Sequence, residues 1–148
     1  MLKGIPSLLS PELLKILSEM GHSDRIVIGD GNFPAETMGK DAIVIRYDGN
    51  GVPEVLDAIL SVFPLDTYVE KPVLLMDKME CDKDMVIPIW DTYAEIVAKH
   101  DARGKDAIGG IDRFDFYDEA KKCYAIIATG ETSVYANVIL QKGVVIND

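Results

Sequence analysis

The amino-acid sequence predicts an α/β protein: a single three-layer domain with a mostly parallel central sheet and antiparallel strands near its C-terminus. Two observations carry this. Short apolar runs alternate with amphipathic helical stretches along the 148 residues. No repeat, low-complexity segment or linker breaks the alternation, so residues 1–148 read as one domain.

Ser10-Pro11-Glu12 predicts a helix start, with an N-cap, a proline at the first helical position and an acid in the first turn. Leu13, Leu14, Leu17 and Met20 follow at helical spacing, and Gly21 is the expected stop. Arg25 to Ile28 is a short buried-type strand, broken by Gly29-Asp30-Gly31-Asn32, with Phe33-Pro34 keeping the chain in a loop. Ala42 to Arg46 is a second strand. Val52-Pro53-Glu54 opens a helix that Pro64 closes. Val73 to Met76 is a third strand, and Pro88 to about His100 a helix. Residues 104–110 are a loop or short strand. Asp112 is placed to cap a helix holding Phe114, Tyr117 and Ala120. Residues 124–128 and 138–140 are the closing strands, with Val144-Val145-Ile146 a candidate for one more.

Composition narrows the function. The 48% hydrophobic content suits a globular core, and 25 acidic against 15 basic residues leave a net charge of −10. That balance disfavours nucleic acid and anionic membrane surfaces, both of which attract clustered Lys and Arg. The start Met1-Leu2-Lys3-Gly4-Ile5-Pro6 lacks the apolar core of a secretion signal, and no stretch approaches a membrane span. The expectation is a soluble cytoplasmic protein. Cys81 and Cys123 are too few and too far apart for a disulfide scaffold or zinc knuckle. Two separated histidines offer no metal-ligand spacing. There is no phosphate loop, no dinucleotide fingerprint and no GxSxG turn.

Three segments carry the chemistry. They are Gly21-His22-Ser23-Asp24 with Asp30 beyond, Asp112-Arg113-Phe114, and residues 130–137 from Gly130 to Asn137. His22 follows a helix end and can exchange a proton near neutral pH, although a surface histidine at a helix C-terminus is as good a reading of its position. Asp30 can accept hydroxyls or orient His22, or be an ordinary turn aspartate. Arg113 can hold an oxygen-rich ligand; otherwise it is a surface charge in a first helical turn. Tyr117, one turn later on the same face, reads mainly as core with its hydroxyl at an edge. Tyr135 and Asn137 differ by two, so an extended backbone would point both the same way. Trp90 can stack on a sugar ring but fits core or interface better. The set suits holding a polyhydroxylated molecule and moving protons on it.

Over almost its whole length the chain also resembles the bacterial RbsD/FucU family of sugar mutarotases, closest to its L-fucose branch. The resemblance rests on Leu2-Lys3-Gly4-Ile5, Leu8-Leu9-Ser10-Pro11-Glu12-Leu13-Leu14, Glu19-Met20-Gly21-His22-Ser23-Asp24 and Asn32-Phe33-Pro34-Ala35. It continues through Ile111-Asp112-Arg113-Phe114-Asp115-Phe116-Tyr117, Thr129-Gly130-Glu131 and the stretch from Tyr135 to Val144. Between Met79 and Gly110 the match is loose. The resemblance implies interconversion of the α and β anomers of L-fucose with no cofactor and no metal. His22 would be the principal proton-transfer group. Asp30, Arg113, Tyr135 and Asn137 would bind substrate, with Tyr117 a further candidate and either Tyr135 or Asp30 open as a second proton carrier. It also implies a decameric ring with sites at subunit contacts. D-ribose pyranase activity and non-catalytic binding of an intracellular monosaccharide are the alternatives.

Overall fold

The computed structural model describes residues 1–147. Strands β1 (Arg25–Gly29), β2 (Ile43–Tyr47), β3 (Val73–Met76), β4 (Ile108–Ile111), β5 (Ala125–Thr129) and β6 (Val138–Gln141) form one sheet. Their order is β2-β5-β1-β6-β3-β4. β6 alone runs against its neighbours, pairing Val27 with Ile139 on one side and Leu74 with Ile139 on the other. The remaining pairs are parallel. The reversal has a simple cause. A parallel return needs a crossover of about a dozen residues or more, and only residues 130–137 join β5 to β6. β6 therefore starts at the end of the sheet where β5 stops. This refines the sequence expectation: of the closing strands, β5 is parallel and only β6 is antiparallel.

Helices α1 (Pro11–Glu19), α2 (Ala35–Met38), α3 (Val52–Leu60), α4 (Pro88–His100) and α5 (Arg113–Ala120) divide between the two faces. Leu13, Ile16 and Leu17 of α1, Val55, Leu56 and Ile59 of α3, and Tyr93 and Val97 of α4 form one core with the sheet. Phe33, Ala35, Phe116, Ala120 and Cys123 pack on the other face against Val27, Ile126 and Ile139. The sheet is thus covered on both sides, which is why β5 is buried throughout and apolar up to its last residue, Thr129, rather than alternating. Among the described residues no helix is long and apolar enough to cross a membrane.

Local rules explain most boundaries. The Ser10 side chain accepts from the Leu13 amide at 3.1 Å and Pro11 opens α1. The Asp112 carboxylate accepts from the Asp115 amide at 2.9 Å and caps α5. Four details differ from the sequence reading. α1 ends because Met20 turns extended (φ −62°, ψ 132°), while the left-handed residue of that turn is Ser23 at φ 73° rather than Gly21. The loop after Pro34 holds the short helix α2. Residues 144–146 form no strand. In α5 it is Phe116 that is buried, with Phe114 at 71% exposure, because two residues along a helix turn a side chain by roughly 200°.

Phe116 is fully buried and meets Phe33 edge-on, with ring centroids 6.2 Å apart. Phe116→Ala should lower unfolding free energy by about 3–5 kcal/mol. Denaturant unfolding at fixed protein concentration measures this; a loss well under 1 kcal/mol would mean the second core does not depend on this ring.

Candidate functional site

Parallel strands bring their carboxyl ends to one edge of the sheet, the usual place for a ligand in such folds. Asp30 follows β1, Met79 lies beyond β3, Arg113 follows β4, and residues 130–137 connect β5 to β6. A cleft of about 300 Å³ opens there. Its polar lining is Asp30, Asn32, Arg113, Tyr117, Tyr135 and Asn137, and its apolar wall includes Phe33, Met76 and Val134. The volume is at the small end for a ligand cleft.

Asp30 is only 6% exposed. Burial pushes its carboxyl above the ordinary aspartate value, opposed by amide donors that include Asn32 at 3.0 Å. Its own amide donates to Asn137 Oδ1 at 2.8 Å. That bond orients the carboxamide and leaves the Asn137 NH₂ for a ligand. Arg113 and Tyr117 share a face of α5, with the guanidinium carbon 5.5 Å from the ring centroid. Arg113 also reaches Met79 Sδ at 3.5 Å.

Tyr135 and Asn137 do reach the same cleft, but not along an extended strand. Tyr135 sits in a turn at φ +55°, a left-handed conformation that non-glycine residues seldom adopt. α4 holds the turn: Trp90 Nε1 donates to the Tyr135 carbonyl at 2.8 Å, and the buried Tyr93 hydroxyl donates to the Ala136 carbonyl at 2.6 Å. Trp90 is half-buried against the core with its indole nitrogen occupied by this bond. Gly130 opens the loop where space is short; a Cβ there would lie 2.1 Å from the Asp48 carbonyl oxygen.

The structure does not bring His22 to this cleft within one chain. His22 precedes β1 and Asp30 follows it, so five strand residues at roughly 3.3 Å each separate them. Asp30 therefore does not orient the His22 of its own chain. Another carboxylate does. His22 Nε2 lies 3.1 Å from Asp66 Oδ1, and Tyr68 is the second aromatic ring of the group, 5.2 Å from the imidazole. Asp66 is 1% exposed. Burial would raise its carboxyl, but the Tyr68 amide, the Gln141 side chain and His22 together hold it below the ordinary aspartate value. An ionised Asp66 can only accept, so it fixes the imidazole with Nε2–H toward itself and leaves Nδ1 open, with the His22 side chain 42% exposed.

Three contacts of the candidate residues were not singled out by sequence: Asp66 beside His22, and Asp82 and Met79 beside Tyr135. Asp66 has the local signature of an Asx turn, accepting from the Tyr68 amide two residues on, and such turns are common. His100, the other histidine, is bound up in a surface pair with Asp57 at 2.7 Å. Among the described residues no group of three or more His, Cys, Asp or Glu is arranged to hold a metal ion.

The fold and cleft define a small α/β protein built to hold one polar ligand at the carboxyl edge of its sheet. The chain belongs to the RbsD/FucU family: the sequence profile described as "RbsD / FucU transport protein family" matches residues 3–145. It is 48% identical to the human fucose mutarotase over 146 residues, 97% of this chain and 94% of that protein. Its fold matches the crystal structure of FucU from Bifidobacterium longum with a TM-score of 0.95 and 60% identity, covering 97% of this chain and all of that one. It matches the Streptococcus pneumoniae fucose mutarotase in complex with L-fucose with a TM-score of 0.90 and 46% identity, over 98% and 100% of the two chains.

Proposed function

We infer that this protein is an L-fucose mutarotase, a carbohydrate isomerase that interconverts the α and β anomers of L-fucose. The observation that carries the reading is the cleft itself. Asp30, Arg113, Tyr135 and Asn137 converge there, in a chain aligned almost end to end with a fucose mutarotase crystallised with L-fucose. A guanidinium, a carboxylate, a carboxamide and two phenols match a ring of hydroxyls, and Phe33, Met76 and Val134 match a sugar's apolar side.

Anomer exchange needs one proton removed from the anomeric hydroxyl and one delivered to the ring oxygen. The O–H electron pair then forms the aldehyde, the C1–ring oxygen bond breaks, and the ring recloses on the other face. Positioned acids and bases supply about 10²–10⁴-fold in such steps. His22, fixed through Nε2 by Asp66, is the principal proton-transfer group of our proposal. The His22 that serves a given cleft comes from the next subunit. Support comes from the two ends of the sheet. Exposed Met79 and Val134 line the cleft and exposed Phe114 follows its Arg113, while exposed Tyr68, Val144 and Val145 lie at the end that carries His22. Joining one end to the other is head-to-tail association, which closes into a ring when the rotation allows. A homodecamer is the form that resemblance to the family favours. The exposed free thiol of Cys81 fits a reducing compartment, and we place the protein in the cytoplasm.

The test is NMR exchange between the anomeric resonances of L-fucose, D-galactose and D-ribose, with and without protein. Faster α–β exchange of L-fucose is the expected result. Exchange confined to pyranose and furanose forms of ribose would make the protein a ribose pyranase. Binding of fucose with no acceleration would make it a sugar-binding protein and overturn the assignment.

A further inference from the structure

The Tyr135 phenol is not free in the cleft. Its Oη–H donates to Asp82 Oδ2 at 2.6 Å, and the same oxygen accepts the Met79 amide at 3.2 Å. Asp82 lies on a single 3-10 turn, Glu80–Asp82, in the segment that follows β3. The turn binds Tyr135 from one side while Trp90 and Tyr93 of α4 hold the backbone of the same loop from the other. A left-handed tyrosine is a strained arrangement, and here four separate contacts hold it or its neighbour in place.

Counting the phenol's capacity limits what it can do. A phenolic oxygen has one proton to give and two lone pairs. The proton is committed to Asp82 and one lone pair to Met79. One lone pair remains, so a sugar hydroxyl meets Tyr135 as an acceptor. A neutral phenol is a poor base by itself, but a carboxylate behind it can take its proton as another arrives. The bond to Asp82 is also the chief reason the phenol is held above the ordinary tyrosine value, the Met79 amide acting the other way. The other titratable or charged groups around the phenol are Cys81 on the same turn and Arg113, Asp30 and Tyr117 in the cleft.

We propose that Asp82 is a positioning residue for the reaction: it holds the Tyr135 phenol as an acceptor and receives its proton, so that Asp82 and Tyr135 together act as the second proton-transfer unit. This rests on the mutarotase reading for its chemistry, not for its geometry. In the forward step the anomeric O–H bond breaks and a new Tyr135 O–H forms. The old Tyr135 O–H breaks and the proton passes to the Asp82 carboxylate. His22 of the neighbouring subunit, starting as the imidazolium with Nε2–H on Asp66 and Nδ1–H toward the sugar, gives its Nδ1 proton to the ring oxygen as the ring opens and is left as the neutral imidazole. Reclosure reverses both transfers, so no net proton is consumed. The role of partner to the second proton carrier thereby falls to a residue in the stretch from 79 to 110, and Asp30 is left to bind.

The experiment compares the intact oligomer with Asp82→Asn, Asp82→Glu, Tyr135→Phe and the double variant Asp82→Asn with Tyr135→Phe. Asp82→Asn should lower kcat for L-fucose anomer exchange about tenfold or more with KM changed less than about threefold, the pattern of a lost transition-state contribution. Asp82→Glu should recover part of the rate. In the Tyr135→Phe background the Asn substitution should cost less than about twofold, because Asp82 acts only through the phenol. A second measurement needs no sugar. The Tyr135 phenol, followed by NMR of labelled tyrosine, should titrate at a lower pH in Asp82→Asn than in the parent protein. An unchanged kcat in Asp82→Asn, an equal loss in both backgrounds, or an unmoved phenol midpoint would each overturn the proposal. If the parent protein showed no fucose exchange, the mutarotase reading would fall, and the phenol midpoint would still decide the pairing.

Discussion

His22→Ala should lower the rate of L-fucose anomer exchange by about 10²–10⁴-fold, the usual worth of a positioned acid–base group, while the protein stays folded. The two halves of this expectation have separate grounds. An imidazole is the side-chain type suited to giving and taking protons in such a step, and Asp66 holds this one through one nitrogen so that the other is free. The fold does not depend on it: the side chain is 42% exposed and belongs to neither apolar core. Circular dichroism and sedimentation would establish that the variant folds and assembles. A folded His22→Ala protein with the full exchange rate would remove His22 from the mechanism. Asp66→Asn is a poorer probe, because Asp66 also accepts from the Tyr68 amide and the Gln141 side chain, and its loss would disturb the turn itself.

The second large effect is a recovery. A protein carrying His22→Ala and another carrying Tyr135→Phe with Asn137→Ala should each be nearly inactive as pure assemblies. Dissociated and reassembled together, they should regain activity. With random mixing in a head-to-tail ring, about one contact in four joins an intact cleft to an intact His22. Activity near a quarter of the parent rate is the expected result. His22 and the cleft sit beyond opposite ends of β1, and no bend within one chain brings them together while β1 stays paired with β5 and β6. If hybrid assemblies form, as shown by mass spectrometry of differently labelled subunits, and the mixture remains inactive, His22 does not complete a neighbour's cleft. The shared-site proposal would then be wrong.

Much of the architecture was legible from local sequence. Ser10-Pro11 and Asp112 mark helix starts because capping satisfies amides within three residues of the cap. Arg113 and Tyr117 share a helix face because four residues make about one helical turn, and the guanidinium does lie over that ring. Ile126 and Ile127 mark a strand buried on both faces because their neighbours are apolar too. The same local reasoning points Phe114 inward where the structure buries Phe116, since periodicity within an eight-residue helix does not show which way the sheet lies.

The candidate site was legible as a set of residues but not as an arrangement. Asp30, Arg113, Tyr117, Tyr135 and Asn137 could be picked out as polar groups at the ends of elements, and the sheet gathers all of them at one edge. His22 belonged to the same set by sequence, yet it lies at the other edge beside Asp66, 44 residues away in the chain. Asp82 gave no signal, and it meets Tyr135 across 53 residues. Helix and strand signals come from hydrogen bonds and side-chain spacing within a few residues, so the sequence by itself determined the elements and the class of fold. Which carboxylate stands behind the imidazole, and which behind the phenol, was decided only by tertiary structure. β6 enters between β1 and β3 in the reverse direction, and that strand order sets which distant loops share an edge.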